Sequence, residues 1–283
     1  MAERESYTTL IDAPALAALI DQGGVALYDC RFDLTDPTAG QAAYDAGHIP
    51  GAVYLHLDQD LAAPAGVHGR HPLPDRAAFA ARLAATGLDA GEQVVAYDAS
   101  GGMYAARLWW MLRWLGHARV AVLDGGLPAW QATGAPLTQA TPTPRAGTFR
   151  AAPALTEPVA VDQILRRIGT DDVQIVDARA PHRFRGEPDP MDPVSGHIPG
   201  ARNRFFRDNL DADGRFKPAA ALAADWREVL DGVGPDRIVH QCGSGVSATH
   251  NVLAMTVAGL AGARLYPGSW SEWISDPARP IER

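Results

Sequence analysis

Only two cysteines, Cys30 and Cys242, occur in this chain of 283 residues. Two are too few for a disulfide framework, which predicts a reducing compartment such as the cytoplasm, where a thiol stays free. Positive charge is also short. A net charge of −8 argues against nucleic acid or an anionic membrane surface as the main partner, and leaves only a local basic pocket compatible. No apolar stretch approaches transmembrane length, and the polar opening Met1-Ala2-Glu3-Arg4-Glu5 lacks the apolar run of a secretory signal. The nine histidines show no ligand spacing around the cysteines, so no metal is expected. The remaining composition, 47% hydrophobic and 20% charged, suits a globular chain of one large or two ordinary domains.

Cys242 lies in the run His240-Gln241-Cys242-Gly243-Ser244-Gly245-Val246-Ser247-Ala248. Ile238 and Val239 lead in as a strand, and Ala248 to Leu260 lead out as a helix. The cysteine therefore sits on a glycine-punctuated loop at the carboxyl end of a strand, facing a helix N-terminus. Backbone N–H groups in such a loop turn inward and cradle an anion, which favours the thiolate and makes the sulfur a nucleophile. A lone cysteine is more often a buried structural residue. The glycines and the strand–loop–helix context favour the nucleophile here.

The chain also repeats itself. Leu27-Tyr28-Asp29-Cys30-Arg31 matches Ile175-Val176-Asp177-Ala178-Arg179, and Gly47-His48-Ile49-Pro50-Gly51-Ala52 matches Gly196-His197-Ile198-Pro199-Gly200-Ala201. Val94 to Gly101 matches Ile238 to Gly245, and the Leu123 to Trp130 segment matches the segment from Leu265 to Trp273. Collinear matches with a slowly drifting offset mean two copies of one domain, here 1–140 and 153–283. The strip Gly134 to Pro153, rich in Thr, Pro, Ala and Gly, reads as a surface strap with its linker at 141–152. Val25–Tyr28, Val94–Tyr97 and Val120–Leu123 read as buried strands, and Arg76–Thr86 and Tyr104–Leu115 as helices. The alternation predicts an α/β fold in which each copy is a small parallel sheet flanked by helices, with ligands at the carboxyl ends of its strands. Asp98 stands where the second copy has Cys242, so only the second copy carries thiol chemistry. The first is expected to act as scaffold and as one wall of a cleft between the copies.

Together these features resemble the tandem-domain rhodanese-like sulfurtransferases, over nearly the whole chain. Tyr44 to Ala52 is similar to the family's N-terminal signature, and Ala263 to Trp273 to its C-terminal one, with Pro267 where an aspartate is more usual. The Cys-Gly-Ser-Gly-Val loop resembles the 3-mercaptopyruvate branch. The thiosulfate-preferring branch carries Arg and Lys at the positions of Gly243 and Ser244, two cations suited to a dianion. The resemblance implies a proton relay of Ser244, His71 and Asp58, the latter two from the first copy. It also implies that Arg183 grips the substrate carboxylate, with Gly243, Gly245, Val246 and Ser247 lining the substrate and the anionic sulfur. A second arginine normally follows in a Pro-Glu-Pro-Arg-like segment. Here Gly186-Glu187-Pro188-Asp189-Pro190-Met191-Asp192-Pro193 has none, leaving Arg185 or Arg179 to substitute, or a looser hold. The implied chemistry passes sulfur through a Cys242 persulfide to a thiol, a thioredoxin-like protein or cyanide, with no cofactor.

Other readings fare worse. A cysteine-dependent phosphatase needs Arg at the sixth position after the cysteine, where this chain has Ala248. A non-catalytic sulfur-carrier or regulatory module does not need Cys242, Ser244, Gly245 and Arg183 together. Thiosulfate as donor is the alternative within the class. His48 and His197, and the pairs Asp29/Arg31 and Asp177/Arg179, recur in both copies and read as structural. Trp109, Trp110 and Trp114 read as core, and His240 and His250 as satisfied buried histidines.

Overall fold

The computed structural model describes residues 6–143 and 145–283; the polar stretch 1–5 and Pro144 of the expected linker lie outside the described residues. The chain divides into two compact units. One runs to Leu61 and also holds Pro74–Thr156 and Asp213–Arg215; the other holds Ala62–Leu73, Glu157–Ala212 and Phe216–Arg283.

The first unit contains β1 (Leu10–Ile11), α1 (Ala13–Gln22), β2 (Val25–Asp29), α2 (Ala39–Ala46), β3 (Ala52–Tyr54), α3 (Arg76–Ala85), β4 (Gln93–Tyr97), α4 (Ala105–Trp114), β5 (Val120–Leu123) and α5 (Gly126–Ala132). The strands form one parallel sheet in the order β1-β5-β4-β2-β3. Every residue of β4 and β5 is buried, as expected of strands covered on both faces. Helix starts follow from capping. Asp12 accepts the Ala15 N–H at α1, and Asp75 accepts the Ala78 N–H at α3, both at 2.8 Å. Trp109 and Trp110 are fully buried in α4, and Trp114 is half-buried.

The second unit contains α6 (Val161–Leu165), β6 (Gln174–Asp177), α7 (Pro181–Phe184), β7 (Arg202–Asn203), α8 (Ala219–Leu230), β8 (Ile238–Gln241), α9 (Ser247–Val257), β9 (Arg264–Leu265) and α10 (Ser269–Trp273). Its parallel sheet runs β7-β6-β8-β9. That is the order of the first sheet with β7, β6, β8 and β9 in place of β3, β2, β4 and β5. A parallel bridge between Pro158 and Leu265 stands where β1 flanks β5. The duplication read from the sequence is thus a duplication of topology. α9 ends before the expected Leu260. The Leu260 N–H turns back to the Met255 carbonyl over Gly259, whose φ of +74° suits glycine.

The strap is less loose than its composition suggests. Thr138 and His48 exchange both backbone hydrogen bonds at 2.9 Å, Gly147 donates to the Ala84 carbonyl, and Phe149 is buried. One buried aromatic anchors it without any periodic pattern. Among the described residues, no helix is long and apolar enough to cross a membrane.

Candidate active site

The two units build the same strand end twice. Asp29 closes β2 and takes a forked guanidinium from Arg31, whose Nη2 reaches on to the Gly47 carbonyl at 2.8 Å. Asp177, Arg179 and the Gly196 carbonyl repeat this in the second unit, again at 2.8 Å. His48 Nδ1–H donates to the Tyr44 carbonyl while its ring stacks on Tyr44; His197 does the same with Phe184. These histidines and ion pairs hold the turns in both units, the structural role their recurrence implies.

The loop after the central strand differs between the units. In the first, Asp98 is buried and its carboxylate collects four backbone N–H groups at 2.8–3.0 Å: Ser100 and Gly102 on Oδ1, Tyr104 and Ala105 on Oδ2. Burial pushes the Asp98 carboxyl up from its ordinary range, and the four N–H bonds pull against that. Each oxygen accepts two N–H groups, so the loop closes around the carboxyl with four converging donors.

In the second unit the corresponding residue is Cys242, 2% exposed at the end of β8. Gly245 N–H points at its Sγ, 3.2 Å away. Gly245 has φ +80°, and a Cβ there would meet the Pro267 carbonyl oxygen at 2.2 Å, so the sharp turn requires glycine. The other cysteine is no rival nucleophile: burial, then Asp29 and Asp98, push the Cys30 thiol well up.

The start of α10 splints this loop. Trp270 and Ser271 N–H groups donate to the Cys242 and Gly243 carbonyls at 3.0 and 2.9 Å. Ser269 Oγ accepts the Cys242 N–H at 3.1 Å and donates to the Tyr266 carbonyl at 2.9 Å. Ser269 stands at φ +53°, a left-handed conformation rare for a residue with a side chain. In the first unit Gly126, at φ +58°, takes that position, and the Leu127 N–H bonds the Asp98 carbonyl. The second unit thus carries a strained serine where glycine would fit, and its hydroxyl fixes the backbone of the cysteine. Sequence reading passed over Ser269, since a backbone angle leaves no mark in composition.

Of the expected relay, Ser244 and His71 come together: His71 Nδ1 and Ser244 Oγ lie 2.7 Å apart, both buried. His71 was expected to come with the first copy, but Ala62–Leu73 packs as part of the second unit. Asp58 belongs to the first unit and is exposed, with its backbone N–H on His56 Nδ1 at 3.1 Å. Gly243 and Val246 are buried and Ser247 opens α9 half-buried.

The expected anion grip is more elaborate than one arginine. Arg183 is mostly buried and held by Asp192, with Nε at 2.8 Å and Nη2 at 2.6 Å from Oδ2. Asp192 also receives Arg179 Nη1 at 3.1 Å, and Asp189 lies 3.8 Å from Arg183. Burial lowers the Arg179 guanidinium, but Asp177 and Asp192 more than reverse it, so its charge is committed to them. Arg185 is exposed and paired with Glu187. Neither is available as the second arginine that the resemblance calls for. His240 is buried with Nε2 3.0 Å from Met255 Sδ, while Nδ1 has no partner among the described residues. His250 stacks on Phe216.

With this geometry in hand, comparison with known proteins gives a consistent result. The family model of the Rhodanese-like domain matches residues 12–133 and again 160–276. A Pseudomonas aeruginosa protein named "Probable 3-mercaptopyruvate sulfurtransferase" is 47% identical over 279 residues, covering 98% of each chain. The thiosulfate sulfurtransferase of Bos taurus is 32% identical over 286 residues, covering 97% of this chain and 94% of the relative. Among solved structures, the 3-mercaptopyruvate sulfotransferase SseA of Escherichia coli superposes with a TM-score of 0.80 at 32% identity, over 94% of this chain and all of that one.

Proposed function

The chain belongs to the rhodanese-like family of sulfurtransferases, and from that premise we propose that it takes sulfur from 3-mercaptopyruvate onto Cys242 and passes it to a thiol, a thioredoxin-like protein or cyanide. The observation that carries the choice of donor is the 2.7 Å contact between His71 Nδ1 and Ser244 Oγ, two residues beyond the cysteine.

The two donors make different demands. Attack of the Cys242 thiolate on the sulfur of thiosulfate breaks an S–S bond and expels sulfite, a stable anion that needs no proton. Attack on the sulfur of 3-mercaptopyruvate breaks a C–S bond and expels the enolate of pyruvate. Carbon must then gain a proton while the donor's own S–H loses one, leaving the persulfide Cys–S–S⁻ and pyruvate. A hydroxyl–imidazole pair beside the reacting sulfur can move that proton. Resupply is complete when an acceptor thiolate takes the outer sulfur and returns Cys242 as thiolate. The loop that grips the Asp98 carboxylate through four N–H groups in the first unit shows what this turn offers an anion, and the terminal persulfide sulfur is the anion to be held in the second.

Beside Gly243 the Arg183 guanidinium is held by Asp192, with Asp189 close behind. Asp58 enters this scheme through the family resemblance. Its test is Asp58→Asn, expected to lower mercaptopyruvate turnover at least 10-fold, on the order of a general acid–base contribution.

Ser244→Ala assayed with both donors, cyanide accepting, tests the reading. Mercaptopyruvate turnover is expected to fall by about 10²–10⁴-fold, with thiosulfate turnover changing only a few-fold. Equal losses with both donors, or wild-type preference for thiosulfate, would overturn it.

A further inference from the structure

One buried carboxylate of the second unit is matched by a cation whose charge depends on pH. Glu272 lies in α10, the helix whose first N–H groups hold the Cys242 and Gly243 carbonyls, and its side chain is 11% exposed. It packs over Gly268 so closely that a Cβ there would collide with the carboxylate. The Tyr266 hydroxyl faces it from below, and burial, then the Glu272 charge, push that phenol far up, so it stays protonated. Among the described residues, the one cationic group on the carboxylate is the His68 imidazole, with Nδ1 3.1 Å from Oε1. Arg279 does not share the task, since its Nη1 donates to the Glu272 main-chain carbonyl and its Nε lies 3.8 Å from Asp276. A buried carboxylate without a cation is costly, and an imidazole is the side chain that gains and loses its charge between about pH 5 and 8.

His68 belongs to a turn that docks on the same helix. Gly66 and Gly69 exchange both backbone hydrogen bonds at 3.0 Å, so Val67 and His68 form a two-residue tip, and both are exposed. Ser275 Oγ lies 3.0 Å from the Val67 carbonyl, and the Arg70 N–H donates to Ser271 Oγ at 3.0 Å. Gly69 has φ +104° and passes so near the Gly268 carbonyl and Ser271 Oγ that a Cβ would meet them at 2.8 and 2.9 Å. Three residues after His68 comes His71, whose Nδ1 is 2.7 Å from Ser244 Oγ. Three residues span about 11 Å at most, so the docking of the tip limits where the His71 ring lies. The pair of His68 and Glu272 thus joins two supports of the reaction centre. One is α10, which splints the cysteine loop; the other is the turn, which brings an imidazole to Ser244.

We propose that His68 and Glu272 are positioning residues for sulfur transfer from mercaptopyruvate: their ion pair ties the Gly66–Gly69 turn to α10 and holds His71 on Ser244, most firmly when the imidazole is charged. The proposal rests on the mercaptopyruvate reading above. Once the His68 ring is neutral, it keeps one N–H for Glu272, and the Ser271, Ser275 and Gly69 contacts carry the rest of the docking. His71 then spends less time at Ser244, and proton delivery slows. The other charged groups of these elements have partners of their own, Arg70 with Asp192 at 3.6 Å and Asp276 with Arg279. Tyr266 stays neutral throughout. His71 is the remaining titratable group of the segment, and because every variant retains it, the test takes a ratio.

His68→Gln, Glu272→Gln and the double variant decide the matter in steady-state assays from about pH 5.5 to 8.5, cyanide accepting. Two donors are compared: 3-mercaptopyruvate, and thiosulfate, whose sulfite leaving group needs no proton. For mercaptopyruvate, the ratio of wild-type kcat to that of His68→Gln is expected to be about 3–5 at about pH 5.5 and to fall to about 1 by about pH 8.5, as for one ion pair at the surface end of its range. KM should stay within about 2-fold, and the kcat ratio for thiosulfate should stay at about 1 throughout. Glu272→Gln should reproduce that pH dependence, and the double variant should add nothing to it, because the two residues act as one pair. A merely structural role would depress both donors together and leave the ratio flat with pH. A ratio of about 1 at every pH, a ratio independent of pH, or equal losses with both donors overturns the proposal while the mercaptopyruvate reading stands. A wild-type protein that does not turn over mercaptopyruvate overturns both.

Discussion

Asp98→Asn is expected to destabilise the protein, although it removes a buried charge and changes no volume. The magnitude follows from the hydrogen bonds. The carboxylate oxygens accept two N–H groups each, from Ser100 and Gly102 and from Tyr104 and Ala105. Asparagine keeps one oxygen for one pair and turns an NH₂ toward the other, where donor faces donor. Two buried N–H groups then lose their acceptor, at about 1–3 kcal/mol each. Relief of the carboxylate's burial works in the opposite direction, so the net loss is set at roughly 2–4 kcal/mol. For units of this size that corresponds to a fall in Tm of about 5–15 °C. Differential scanning calorimetry at neutral pH reads it directly. A variant melting at or above wild type would mean that burial outweighs the N–H cradle. The argument that this loop geometry holds an anion, carried from Asp98 to the persulfide on Cys242, would then fail.

Ser269 gives a second test through two substitutions. Both Ser269→Ala and Ser269→Gly leave the Cys242 N–H without its acceptor, but only glycine relieves the left-handed backbone, so the alanine variant should be less stable by about 1 kcal/mol; urea unfolding showing equal or inverted stabilities refutes the assigned strain. His240 sets a pH dependence, because burial pushes it down from 6.5 to about 3. Between those values the unfolded chain takes up a proton that the folded state refuses, so its contribution is neutral above about pH 6.5. Stability then falls on acidification by up to about 1.4 kcal/mol per pH unit. His240→Gln should lower that slope between about pH 6 and 5 by close to one proton, and identical slopes would contradict the burial argument.

Much of this was legible because the chemistry is written locally. Val25 to Tyr28, Val94 to Tyr97 and Val120 to Leu123 are short apolar runs in a parallel sheet, and each forms a strand close to its expected bounds. The strand–loop–helix around Cys242 follows from Ile238 and Val239, the glycines and the apolar run after Ala248. The match of Asp98 with Cys242 told which copy holds the catalytic thiol, and the structure adds that the Asp98 carboxyl gathers four backbone N–H groups in that loop.

The rest depended on tertiary placement. The sequence repeat assigns residues 62–73 to the first copy, yet the backbone ties Gly69 and Arg70 to Gly268 and Ser271 in the second unit. Replacing Arg and Lys by Gly243 and Ser244 seemed to strip the loop of cations, but small residues there admit Arg70, Arg183 and His71 from elsewhere.

The most direct test of the account is the mass of the tryptic peptide from Ile238 to Arg264, which carries Cys242, after brief exposure of the protein to 3-mercaptopyruvate without acceptor. The account predicts a gain of about 32 Da, one sulfur atom, on that peptide and none on the one carrying Cys30, with pyruvate released in equal amount and the added mass lost on addition of cyanide. Pyruvate formation with Cys242 unmodified, or sulfur found on Cys30 instead, would contradict it.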